Sequence, residues 1–68
     1  MEIKTGDQIK AKDTLRNAID GARIGQVEQL QPYTGPLIAL LGAGTQIAKF
    51  YGGMEMTLPA VSRYGVAS

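Results

Sequence analysis

A chain of 68 residues with seven basic and six acidic side chains, and no cysteine, histidine or tryptophan, admits a single domain spanning residues 1–68. It can hold no disulfide framework, thiolate nucleophile, zinc finger, imidazole base or Ser-His-Asp arrangement. A net charge of +1 exerts no strong pull on nucleic acid, anionic lipid or acidic substrates. A domain this short buries only about 60% of the surface its unfolded form exposes, so compactness or oligomerisation must supply the rest.

The opening MEIKTGDQIKAK lacks an apolar h-region, so no signal peptide is expected, and a cysteine-free chain fits a cytoplasmic setting. Within it, Gln8 to Lys12 alternates, with Ile9 and Ala11 on one face, and reads as a short half-buried strand. Asp13 to Asp20 is ambiguous. Asp13 or Thr14 can cap a helix in which Leu15, Ala18 and Ile19 share a face, while Gly21 and Gly25 oppose a long one. One or two helical turns or a structured loop is the expectation, with a helix from Asp13 to Gln31 as the alternative. Ala22 to Tyr33 otherwise reads as an extended segment whose broken phase calls for a bulge at Gly25. Pro32 ends that pattern, and Tyr33-Thr34-Gly35-Pro36 forms a turn.

Leu37 to Leu41 is apolar on both parities and is expected to be the most buried strand. The apolar run from Pro36 to Gly44 is far short of the roughly 20 residues a membrane helix needs, so no membrane is expected among its partners. Gly42-Ala43-Gly44 opens like a phosphate-binding loop, but neither the dinucleotide nor the Walker pattern continues, and it reads as a turn. The strongest local signal follows. Thr45 to Tyr51 and Met54 to Leu58 flank Gly52-Gly53, predicting a two-residue hairpin turn. In that register Tyr51 faces Met54, Lys49 faces Met56 and Ile47 faces Leu58 on the apolar side. Pro59 to Ser62 is expected to close the hairpin as a 3-10 turn, with Arg63 to Val66 returning as a last edge strand.

These elements describe an all-β fold of about five short antiparallel strands, and closure into a small bent barrel would remove most edge exposure. Asp20-Gly21-Ala22-Arg23-Ile24-Gly25-Gln26-Val27 resembles the glycine-x-x-glycine-x-valine turn and strand of KOW-type SH3-like barrels. Ile3 to Ile9 is similar to the glycine-aspartate entry into their first strand. Met56 to Val61 resembles their closing strand, proline and 3-10 turn, as in the photosystem I accessory subunit and the plasmid-borne type II dihydrofolate reductases. The resemblance implies a small SH3-like barrel with a 3-10 turn near the C-terminus, and one of three roles: RNA binding, protein docking, or a shared site in an oligomer. Glu55, Met56, Thr57 and Leu58 stand where the reductases carry valine, glutamine, isoleucine and tyrosine, so their active site is not reproduced.

The carboxylates Glu2, Asp7, Asp13, Asp20, Glu28 and Glu55 show neither metal-ligand spacing nor the apolar context of an acid catalyst. The expectation is therefore a non-enzymatic binding module without cofactor or metal, docking on a protein partner or on itself. Tyr33, Tyr51, Met54 and Tyr64 are its candidate partner contacts, because rings and thioethers anchor interfaces. The alternative is a weak nucleic-acid binder using Lys10, Lys12, Arg16 and Arg23. A small oligomeric enzyme built around a central shared site is the third reading.

Overall fold

The computed structural model describes residues 2–67. In chain order it contains β1 (Glu2–Thr5), a 3-10 turn (Gly6–Gln8), β2 (Thr14–Asn17), β3 (Arg23–Pro32), α1 (Ile38–Leu41), β4 (Gln46–Phe50), β5 (Glu55–Leu58) and β6 (Arg63–Ala67). The strands form one antiparallel sheet in the order β1-β6-β2-β3-β4-β5. β3 is long enough to serve two partners. Residues from Arg23 to Gln26 pair with β2, and those from Val27 to Pro32 pair with β4. A register shift between Val27 and Gln29 bends β3 between those two stretches. Leu15, Tyr64 and Val66 from one half of the bent sheet, Ala48, Phe50 and Leu58 from the other, and Val27 at the bend form the core with Ile9.

The expected barrel is not formed. Among the described residues no ladder joins β5 to β1, so the sheet has six strands, not five, and two free edges. The KOW-type, SH3-like identity fails with the closure. The chemistry at the near corner explains the gap. β1 ends at Thr5 and turns into the 3-10 segment just where it would have to run beside β5. β5 ends against Pro59, which has no N–H to offer a ladder. The Gly6 N–H instead reaches the Ser62 carbonyl at 2.8 Å, extending the pairing of β1 with β6, and the Gln46 side chain donates to the Gly6 carbonyl at 3.1 Å. The 3-10 turn accordingly lies near the N-terminus, and Pro59 to Ser62 forms an ordinary turn. β6 is not an edge strand: it sits between β1 and β2, with Tyr64, Gly65 and Val66 all buried.

Three local expectations also change. Gln8 to Lys12 is a loop that still delivers Ile9 to the core, and Thr14 to Asn17 is a strand in place of helical turns. The Asp13 carboxylate does not cap a helix but accepts the Lys10 N–H at 2.9 Å, closing the turn into β2. Leu37 to Leu41 is not a buried strand. Ile38–Leu41 winds one helical turn, with the Gly42 N–H returning to the Ile38 carbonyl. Ala39, Leu40 and Leu41 carry no β-branch and favour that conformation, and Pro36 starts the turn that precedes it.

The hairpin exists, one residue out of the expected register. Ala48 pairs with Met56, and Gln46 with Leu58. The Phe50 N–H reaches the Met54 carbonyl and the Gly53 N–H returns to Phe50, so Tyr51-Gly52-Gly53 is a three-residue loop with both glycines at positive φ. A one-residue slip turns a strand over. Here it turns β4, sending Phe50 and Ala48 inward and Lys49 out to Glu28 at 4.0 Å. Burying a phenylalanine in place of a lysine decides the register. The bulge expected at Gly25 sits one residue earlier: Leu15 pairs with Gly25 and Arg16 with Arg23, leaving Ile24 as the extra residue.

Candidate binding surface

The expected site residues fall in separate places. Tyr51 and Met54 flank the glycines at the hairpin tip, both about half exposed. Tyr33 is half-buried, its ring lying over Gly35 where any Cβ would collide with it. Tyr64 is 8% exposed and belongs to the core, so the structure unites only Tyr51 with Met54. Burial raises the Tyr64 pKa from its ordinary 10.0, and a hydrogen bond from Ser62 opposes the shift.

The basic candidates also divide. Lys10 is exposed on the loop before β2. The Lys12 ammonium donates to the Tyr51 phenol oxygen and stands 5.1 Å from the ring centroid. That hydrogen bond holds the charged form and raises the Lys12 pKa from 10.5. Arg16 and Arg23, by contrast, are cross-strand partners on the face of the sheet opposite the core. Arg63 joins them, because it lies two residues from Gly65, which pairs with Arg16. Cross-strand Cβ atoms stand about 5 Å apart and diagonal neighbours about 7–8 Å, and like charges directly opposite each other weaken a sheet. Among the described residues, the ion pairs are Lys4 with Glu2 and Asp13, and Lys49 with Glu28, so none involves these arginines. Arg16 instead donates to the Gly21 carbonyl at 3.0 Å.

A cavity of about 310 Å³, lined by Asn17, Ile19, Ile24, Met56, Arg63 and Tyr64 among others, opens on the core side of the sheet. Arg63 lines the opening, whereas Arg16 and Arg23 lie on the other face of the sheet. Ile19 is 97% exposed, its N–H held by the Asn17 side chain at 2.8 Å. Arg63 carries no periodic signal in the sequence, and the helical spacing of Ile19 pointed it inward; the pairing of β6 with β2 brings the two to one cavity.

A second apolar surface forms where α1 meets the Pro59–Ser62 turn. Leu40 is 80% exposed, Val61 73% and Leu37 51%. Thr45, itself buried, fastens the two turns: its hydroxyl donates to the Gly42 carbonyl at 2.7 Å and accepts the Ala60 N–H at 3.0 Å. The Ala60 N–H also reaches the Leu41 carbonyl. The expectation that Leu37 to Leu41 fills the core hid this surface.

No cluster of potential metal-ligating side chains and no helix long and apolar enough to cross a membrane occurs among the described residues. No family model matches the chain, and neither a curated protein nor a solved structure resembles it significantly.

Proposed function

We propose that this chain is a non-catalytic docking module, and that its α1 surface joins a second copy of itself. The observation that carries the reading is the group of exposed apolar side chains on two fastened turns, Leu37, Leu40 and Val61. Solvent-facing apolar groups gathered in one place favour association, because joining two such surfaces removes both from water. The short chain adds a motive, since dimerisation supplies burial that 68 residues cannot supply alone. Tyr51 and Met54 at the hairpin tip offer a further contact for a different protein partner. A cytoplasmic setting belongs to the same reading, since a cysteine-free chain needs no oxidising compartment to fold.

Sedimentation velocity from micromolar to millimolar concentration tests the proposal. The expected result is a mass that rises from monomer to dimer, and a Leu40→Lys, Val61→Lys variant that stays monomeric while keeping its circular dichroism. A monomeric wild type throughout that range rejects self-association.

A further inference from the structure

The inward-facing stripes of the bent sheet run out of the core at one end, and the cavity of about 310 Å³ opens there. Strand alternation sets its walls. Asn17 shares the face of Leu15, Met56 that of Leu58, and Tyr64 that of Val66, so all three project between the two halves of the sheet. Ile24, the bulged residue of β3, completes an apolar wall with Met56, and Ile19 stands 97% exposed at the mouth. Arg63 alternates with Tyr64 and leaves β6 from the other face. Among the described residues no other lining one is charged.

We propose that this cavity binds a small uncharged molecule with an apolar body and one acceptor oxygen. A volume of about 150 Å³ encloses benzene, so this one has room for a substituted ring, at the low end of small-molecule sites. Its polar groups are left as donors. The Asn17 side-chain oxygen already accepts the Ile19 N–H at 2.8 Å, which leaves the amide hydrogens, and no described group accepts them. The Tyr64 oxygen takes a hydrogen bond from Ser62, which leaves the phenol proton to donate. Two donors beside an apolar wall suit a carbonyl or ether oxygen. A charged ligand would give up its hydration where no counter-charge starts from the inward face.

Amide chemical shifts of the full chain, held at one protein concentration and titrated with acetophenone, test the assignment. Residues 17–19, 24, 56 and 62–64 should shift together and saturably, with a Kd on the order of 1 mM. Ethylbenzene has nearly the same shape without the oxygen, and benzoate has nearly the same size with a charge. Each should bind about fivefold more weakly. Tyr64→Phe should weaken acetophenone about fivefold and leave ethylbenzene unchanged, a split that general loosening of the fold would not produce. Met56→Ala should weaken both. The Leu40→Lys, Val61→Lys variant should bind acetophenone as the wild type does, which separates this site from self-association. Three results overturn the proposal: no saturable shift at about 10 mM acetophenone, shifts gathered outside these residues, or ethylbenzene or benzoate binding as tightly as acetophenone.

Discussion

At the scale of single residues, Lys12 shows how a local cost and a distant contact combine. Among the described residues it is the non-glycine one at positive φ, +78°, a conformation that costs an ordinary side chain roughly 1–2 kcal/mol. Its contact with Tyr51 is fully exposed and screened by water, and it returns less than the backbone cost. Lys12→Ala loses the contact and keeps the cost, so it should lower the melting temperature. Lys12→Gly loses both and should leave it unchanged or raise it. A glycine variant less stable than the wild type would show that the tie to Tyr51 outweighs the strain. Tyr64 makes a separate prediction for alkaline solution. The folded chain keeps its phenol neutral to a higher pH than the unfolded chain does, the ordinary value being 10.0. Its stabilising contribution is therefore complete below pH 10 and is lost as pH rises through the folded value. Lys12, raised from 10.5, adds a loss in the same direction. Thermal melts across the alkaline range should accordingly fall less steeply for Tyr64→Phe than for the wild type, and parallel curves would contradict the assignment.

Among elements, the close approach of Gly6 to Pro59 fixes how β1 meets the β5–β6 connection. A Cβ at Gly6 would collide with the Pro59 carbonyl, and the Gly6 N–H is bound to Ser62 at 2.8 Å. Gly6→Ala must push these segments apart at a cost of about 1–3 kcal/mol, measurable by urea denaturation. An unchanged midpoint would place the corner elsewhere. Gly6 was legible in the sequence as a turn, yet its contact with Pro59, 53 positions along, was not. The same division runs through the fold. The extended character of Arg23–Pro32 follows from its residues, as does the hairpin about Gly52 and Gly53. The register does not, because turn length and core demand compete, and burial of Phe50 decides. Thr14 to Asn17 reads locally as helical turns or a loop, and pairing of this segment with both β3 and β6 selects the strand. Leu37 to Leu41 is apolar on every side, so its periodicity could not separate a buried strand from an exposed helical turn. The arginine cluster was half legible, through Arg16 and Arg23. Arg63 enters it only because β6 lies between β1 and β2.

For the whole molecule, the open sheet determines which surfaces remain for partners. An unclosed sheet leaves β1 and β5 with unpaired edges, and charge protects them: Glu2 and Lys4 lie on β1, with Lys4 held 3.6 Å from Asp13, and Glu55 lies on β5. Association by edge pairing is thereby discouraged, which leaves the α1 surface as the apolar place for a second copy. Concentration dependence of amide chemical shifts tests this central claim most directly, because it reports both whether copies meet and where. On dilution from millimolar to micromolar, the backbone amides of residues 37–42 and 60–62 should shift together, and those of Glu2–Thr5 and Glu55–Leu58 should stay fixed. Shifts confined to either edge strand, or a spectrum identical at every concentration, would contradict the account.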